Sequence, residues 1–317
     1  MTTKTNKIWN FDQAKEIYTL PLNDLIFSAH KIFREHFDPN KLQISALLNI
    51  KKGRCSENCS YCAQSAHYKT KLPTCPLLDV NNVIASAKKA KSIGATRLCM
   101  AAAWRGPTAT DMTKLVEMVK ETKKLGLESC LSAGLLTEEQ AKELKRSGLD
   151  FYNHNLDTSE EYYQKIITTR KFSDRLETIK NVSDAGISVC CGGIVGMGES
   201  QDDRIKMVVA LANLDPQPRS VPINLLIKMP GTPLENVPDL DPLEVVRSVA
   251  TTRIMLPESY VRLSAGRTEM SDELQALCFF AGANSVFYGD ELLTAPNPEP
   301  KKDKNLLNKL GISTEVV

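Results

Sequence analysis

From residue 42 onward the chain repeats one pattern: a stretch with apolar residues at helical spacing, a glycine, then a short apolar or small-residue run. The glycines are Gly94, Gly126, Gly148 and Gly186, each placed where a helix would end in a left-handed residue. The runs that follow, 96–103, 127–133, 150–158 and 188–195, suit buried strands. Adding 42–50 ahead of them and 221–228, 260–265 and 285–288 behind gives eight strands separated by helical stretches. Two helix starts are marked, by Thr137 and Gln140 as a capping box and by Asp241 followed by Pro242. Eight such units predict an α/β fold of the (β/α)8 TIM type. A doubly wound open sheet would use the same alternation, so the direction of the polar side chains is the better discriminator.

In the fourth run Asn153, Asn155 and Asp157 alternate, which places all three on one face of a strand. Cys99, Cys130, Cys190, Asn224 and Arg262 each fall near the middle of a different predicted strand, where a buried parallel sheet normally carries Val, Ile or Leu. Pointing outward, they would meet the apolar undersides of helices unpaired, at roughly 1–3 kcal/mol each. Pointing inward, they line a barrel lumen that holds a ligand. The inward reading is preferred.

Before the barrel, Leu22, Ile26, Ala29 and Phe33 share one helical face, so residues 1–40 read as an N-terminal helical cap. The barrel is assigned to 41–295. Pro296, Pro298 and Pro300 then precede a Lys/Asp-rich stretch with Leu306, Leu307 and Leu310, so 296–317 reads as a flexible C-terminal tail.

Composition narrows the function classes. The chain has 317 residues, with 42% hydrophobic and 25% charged, an ordinary globular balance. Lys plus Arg number 40 against 38 Asp plus Glu, a net charge of +2, which gives no general field for nucleic acid or an anionic membrane. No apolar run is long enough to span a bilayer. Residues 1–10 lack the apolar core of a secretory signal, so the expected compartment is the cytoplasm.

Nine cysteines are many for that compartment, where disulfides are rare. Cys55, Cys59 and Cys62 have the spacing C-x3-C-x2-C, in a loop directly after the first predicted strand, at the end where barrel active sites form. Three thiolates on one loop can hold three irons of a [4Fe–4S] cluster and leave the fourth for an external ligand. The competing reading is zinc, for which His67 is the one nearby further ligand. Cys191 should face the helices, Cys278 lies among core residues, and Cys75 reads as a loop thiol. Gly192, Gly193, Gly196 and Gly198 form a glycine-rich strand end. No Walker lysine follows it, so close approach of backbone to a ligand is preferred over a phosphate loop.

C-x3-C-x2-C with an aromatic residue before the last cysteine, after strand one of such a barrel, resembles the signature of the radical S-adenosylmethionine enzymes. The stretches Tyr152-Asn-His-Asn-Leu-Asp-Thr158, Cys190-Cys-Gly-Gly-Ile-Val-Gly-Met-Gly-Glu199, Pro222-Ile-Asn-Leu-Leu226 and Val261-Arg-Leu-Ser-Ala-Gly-Arg267 extend the resemblance, over nearly the full length, to the biotin synthase family. That resemblance implies that Cys55, Cys59 and Cys62 hold a [4Fe–4S] cluster whose fourth iron is chelated by S-adenosylmethionine. It further implies that Cys99, Cys130, Cys190 and Arg262 hold a [2Fe–2S] cluster that donates sulfur. Tyr61, Asn155, Asp157, Arg175, Gly192 and Gly193 would contact S-adenosylmethionine, with Tyr61 against the adenine, Asp157 on the ribose hydroxyls and Arg175 near the carboxylate. Asn153, Asn155 and Asn224 would hold the substrate.

The implied reaction is sulfur insertion that converts dethiobiotin to biotin, with no acid–base dyad, a flavodoxin or ferredoxin as electron donor, and a homodimer as the assembly. The bland readings stay beside these. They are loop packing for Tyr61, a solvated helix-face charge for Arg175, and for Arg262 a salt bridge to a cluster sulfide or substrate carboxylate, since a protonated guanidinium has no free lone pair. The rivals are a related radical enzyme without a sulfur-donor cluster, lipoyl synthase, and a non-catalytic iron–sulfur carrier. Residues 1–54 contain no cysteine, which argues against lipoyl synthase.

Overall fold

A computed structural model describes residues 7–289 and 291–315. Residues 1–6, part of the stretch read above for targeting signals, and residues 316–317 at the end of the expected tail lie outside the described residues. The strands are β1 (Lys41–Lys51), β2 (Arg97–Ala102), β3 (Glu128–Ser132), β4 (Phe151–Asn153), β5 (Ser188–Cys190), β6 (Gly193–Val195), β7 (Ser220–Leu225), β8 (Tyr260–Leu263), β9 (Ser285–Phe287) and β10 (Ser313–Thr314). Strands β1-β2-β3-β4-β5-β7-β8-β9 pair in parallel in that order, and β9 pairs back onto β1, which closes the barrel. The helices are α1 (Phe11–Tyr18), α2 (Leu22–His36), α3 (Val80–Ser92), α4 (Ala109–Lys124), α5 (Glu138–Arg146), α6 (Glu160–Ile166), α7 (Phe172–Asp184), α8 (Gln201–Ala212), α9 (Pro242–Met255), α10 (Asp272–Phe280) and α11 (Pro300–Leu310).

The punctuation read from the sequence is in place. Gly94, Gly126, Gly148 and Gly186 all have positive φ, between 76° and 96°, just beyond a helix end. Thr137 and Gln140 form the capping box of α5, and Asp241 caps α9 ahead of Pro242.

The run 188–195 is one barrel strand in two pieces, β5 and β6. At the break, a Cβ on Gly192 would lie 1.9 Å from the Pro222 carbonyl oxygen, so the chain passes too close to β7 for any side chain. Pro222 also has no N–H to give the ladder there.

The run expected as a strand over 150–158 ends at Asn153. Leu156 and Asp157 both donate their N–H to the Gly192 carbonyl, at 3.0 and 3.2 Å, which curls the chain, and Asp157 sits in the left-handed region at φ 69°. Asn153, Asn155 and Asp157 therefore share a cavity by way of a turn and not by strand alternation.

The expected flexible tail is a correction. Residues 300–310 form α11, with Pro300 in its first turn and Gly311 in left-handed geometry at its end. Leu306 and Leu307 are buried, and buried Asp303 pairs with buried Arg267. After the helix, β10 adds to the start of β1 through Lys41–Ser313 and Leu42–Thr314. The prolines and lysines suggest a loose segment, but the prolines precede the helix and the lysines cover its outer face. Ahead of the barrel, α2 buries Leu25, Ile26, Ala29 and Phe33, with Leu25 in the place expected for Leu22. Its His30 ring stacks on Phe280 of α10 at 4.1 Å.

Candidate active site

The first cysteine group sits where β1 runs out at the C-terminal face of the barrel. Its loop is pinned to itself, with Cys55 N–H donating to Gln64 O at 2.8 Å and Cys62 N–H to Cys59 O at 2.9 Å. It is pinned also to residues 166–169. The N–H and hydroxyl of Ser60 both donate to Ile166 O at 2.9 Å, and Asn58 Oδ1 accepts from the N–H of Thr168 at 3.0 Å and of Thr169 at 3.2 Å. Glu57, inside the motif, is buried and accepts from Arg105 Nη1 at 2.9 Å. Burial pushes the thiols of Cys55, Cys59 and Cys62 up, Cys62 to about 12, so they keep their protons until a cation displaces them. The His67 Nε2 lies 3.0 Å from the Ser56 carbonyl. Among the described residues no three His, Cys, Asp or Glu side chains gather closely enough to hold a single metal ion. His67, the further ligand a zinc site would need, is engaged with the Ser56 carbonyl, whereas an iron–sulfur cluster needs only one thiolate for each of three irons.

Beside this loop lies an ion pair. Tyr61 donates its hydroxyl to Asp157 Oδ2 at 2.6 Å, and Arg175 binds the same oxygen. Arg175 Nε also donates to the Tyr163 hydroxyl at 2.7 Å and Nη1 to Asn155 O at 2.5 Å. Arg175 is 3% exposed, so the reading of it as a solvated helix-face charge is overturned. Burial is the largest single influence and works against its charge, but Asp157 together with Tyr61, Tyr163 and Cys59 outweighs it, leaving the guanidinium above its ordinary value.

Gly192 and Gly193 border neither cavity described below. A Cβ on Gly193 would lie 2.0 Å from Met207 Sδ, so their smallness serves packing against β7 and α8, and the Gly192 carbonyl holds the Asp157 turn.

The second group is carried by strands. Cys99 is in register with Cys130, and Cys190 with Asn153. The Cys130 thiol lies between those of Cys99 and Cys190 and is paired with each. Bonding to Cys130 draws Cys99 and Cys190 below their ordinary value, while the same bonds push Cys130 far above it. Arg262, 1% exposed, enters from β8; its Nε donates to Ser285 Oγ at 2.9 Å and its Nη2 to Ser45 Oγ at 2.9 Å, and the guanidinium carbon is 4.7 Å from the Phe287 ring centre. Arg97, two residues before Cys99 and so on the same strand face, is fully buried against Phe151, its guanidinium carbon 3.4 Å from that ring centre.

One cavity of about 300 Å³ is lined by Cys62, Cys99, Cys130, Asn153, Asn155, Asp157, Asn224 and Arg262 among others. A second of about 170 Å³ is lined by Cys55, Cys59, Cys62, Tyr61, Arg170 and Arg175, and the two share Tyr61, Cys62, Asn153, Asn155 and Asp157. Cys55, Cys59 and Cys62 of the loop and Cys99 and Cys130 of the strands thus line two adjoining cavities with a common wall, in the size range of small-molecule sites, while Cys190 is fully buried behind Asn153 and lines neither. Asn153 donates to Asn155 Oδ1 at 3.1 Å and to Cys190 Sγ at 3.3 Å. Asn224 is largely occupied, donating to Gly193 O at 2.9 Å and accepting from Ala265 N–H at 3.1 Å. Cys191 and Cys278 are buried in the apolar layer, and Cys75 pairs its backbone with Lys52 outside the site.

Sequence reasoning missed Gln43, Ser45 and Ser285, which hold Arg262, and Glu57, Arg105 and Arg170, which brace the cysteine loop. Gln43 and Ser45 alternate within β1, so the parity test that found Cys99 would have found them.

Comparison with known proteins agrees with this geometry. The family description "Radical SAM superfamily" matches residues 50–212, and "Biotin and Thiamin Synthesis associated domain" matches 222–313. A biotin synthase from Rickettsia felis is 59% identical over 96% of this chain and 99% of its own length; one from Marinobacter nauticus is 56% identical over 99% and 89%. Among solved structures, methylornithine synthase superposes with a TM-score of 0.81 at 20% identity, covering 96% of this chain and 94% of its own. An [FeFe]-hydrogenase maturase from Carboxydothermus hydrogenoformans superposes with 0.82 at 18%, covering 98% and 76%. At those identities the structures speak for the fold. No helix among the described residues is long and apolar enough to cross a membrane. Taken with the two cysteine groups on one barrel lumen, these matches show that the chain belongs to the biotin synthase family of radical S-adenosylmethionine enzymes.

Proposed function

We propose that this chain converts dethiobiotin to biotin, and that its two cysteine groups hold two different clusters. Cys55, Cys59 and Cys62 hold a [4Fe–4S] cluster at the mouth, and Cys99, Cys130, Cys190 and Arg262 hold a [2Fe–2S] cluster at the floor. When bound, these groups and S-adenosylmethionine supply one-electron reduction, hydrogen-atom removal from unactivated carbon, and the inserted sulfur. The observation that carries the reading is the pair of adjoining cavities, with Tyr61, Cys62, Asn153, Asn155 and Asp157 in their common wall, lined at one end by Cys55 and Cys59 and at the other by Cys99, Cys130 and Arg262.

The chain's own residues do the rest. Tyr61 and Asp157 form a wall beside the first cluster site. Arg175, anchored through Tyr163, Asn155 and Asp157, offers a fixed positive charge for a carboxylate. Asn155 accepts from Gly192 N–H at 3.1 Å, which fixes its amide toward the space between the two groups. Gly192 and Gly193 act through Asp157 by letting its turn lie against β7. Asn153 and Asn155 hold the substrate between mouth and floor, with Asn224 shaping the wall. The apolar lining from Leu47, Ile194, Leu226 and Phe287 excludes water from a site whose chemistry would attack it. We assign residues 41–295 to the barrel with 1–40 as its cap. A flavodoxin or ferredoxin as electron donor, a homodimer and a cytoplasmic location complete the proposal.

The test is anaerobic reconstitution with iron and sulfide, followed by S-adenosylmethionine, reductant and dethiobiotin. The proposal expects both 5′-deoxyadenosine and biotin. Absence of S-adenosylmethionine binding would instead favour an iron–sulfur carrier.

A further inference from the structure

The three loop cysteines are not equivalent. Arg170 Nη2 lies 3.7 Å from Cys59 Sγ, within reach of a hydrogen bond to sulfur, whereas Arg170 and Lys51 act on Cys55 only through their charge. The Arg170 side chain is 9% exposed. Its Nε is 3.8 Å from Glu57 Oε2, an attraction of charge without a hydrogen bond, and this Nε has no partner. The reason is on Glu57, whose two oxygens are already engaged by Arg105 and by the Thr169 hydroxyl. Glu57 therefore holds the guanidinium in place without consuming its fork, and the free donor falls on Cys59. Arg170 also immediately follows residues 166–169, which clamp the loop through Ser60 and Asn58, so loop and guanidinium move together.

We propose that Arg170 is a positioning residue for the mouth cluster: its guanidinium donates to the Cys59 sulfur and makes that cluster easier to reduce. This rests on the reading of the preceding subsection that Cys59 is a cluster ligand. A cationic donor on a thiolate withdraws negative charge from the cluster, and cluster potentials respond to net charge and to hydrogen bonds at sulfur. Glu57, which shares its own charge with Arg105, keeps the pair from being a bare buried cation.

The experiment is an EPR-monitored redox titration of reconstituted protein with Arg170→Gln and Arg170→Lys. Arg170→Gln should make one-electron reduction about tenfold less favourable, a shift of about 59 mV to the negative. Arg170→Lys, which keeps the charge and loses the fork, should shift less. A wild-type protein that assembles no [4Fe–4S] cluster would sink the reading of Cys59 itself. An assembled cluster with an unchanged potential in Arg170→Gln would overturn this inference alone. Failure of both variants to hold iron that the wild type holds would make Arg170 purely structural and overturn it as well.

Discussion

At the barrel mouth three cysteines lie within eight residues of one loop, whereas at the floor three cysteines come from β2, β3 and β5, with an arginine from β8. The mouth group is held by hydrogen bonds from outside the barrel wall, through Ser60, Asn58 and Glu57 to residues 105 and 166–169. The floor group is held by strand register, and each member is part of the sheet that closes the fold. The same side-chain chemistry is therefore local and separable in one place, and distributed and structural in the other. A loop can present an open coordination position to a ligand, while strands can seal a group away from solvent.

The strongest way to break this comparison is to remove one ligand from each side. Cys59→Ala should abolish 5′-deoxyadenosine formation and leave the fold intact. Cys130→Ala should leave 5′-deoxyadenosine formation and abolish biotin formation. Chromatography of both products from both variants checks the pair, and retained 5′-deoxyadenosine in Cys59→Ala would sink the mouth assignment.

A smaller effect should follow at the junction of the two regions. Asp157→Asn leaves Arg175 buried without its counter-charge, and breaking a buried pair this way costs about 3–5 kcal/mol, readable by urea unfolding. No residue of α11 lines either cavity. Leu306→Ala should cost about 2–3 kcal/mol, at the low end for a core truncation, with 5′-deoxyadenosine yield per cluster unchanged.

The regions also differ in how much of each the sequence displays. Cys55, Cys59 and Cys62 announce themselves by spacing, because a loop puts neighbours in sequence near one another in space. Cys99, Cys130 and Cys190 are 31 and 60 residues apart and become visible only as polar residues where a buried strand should be aliphatic. Eight strands and their glycine stops were legible because a helix end needs a left-handed residue and a buried strand needs apolar runs. The end of β4 was not, since the curl at Asp157 depends on the Gly192 carbonyl of another strand. Nor was the tail, where Asp303 finds Arg267 and β10 finds β1 only after the barrel has formed. Arg170 was equally silent, because its neighbour Cys59 is 111 residues away.

The smallest effect is expected at Arg262. Its partners Gln43, Ser45 and Ser285 already bond one another, with Gln43 Nε2 3.0 Å from Ser45 Oγ and Ser285 Oγ 2.5 Å from Gln43 Oε1, so their network survives its removal. Arg262→Ala should assemble both clusters and retain biotin formation within about tenfold, some 1.4 kcal/mol. Complete loss of the [2Fe–2S] absorbance in that variant would show that the arginine is indispensable.

The central claim, two kinds of cluster in two differently built places, is tested most directly by Mössbauer spectra of anaerobically reconstituted wild-type and Cys130→Ala protein. The account predicts [4Fe–4S] and [2Fe–2S] signals together in the wild type and the [4Fe–4S] signal alone in Cys130→Ala. A single cluster type in the wild type, or loss of both signals in the variant, would contradict it.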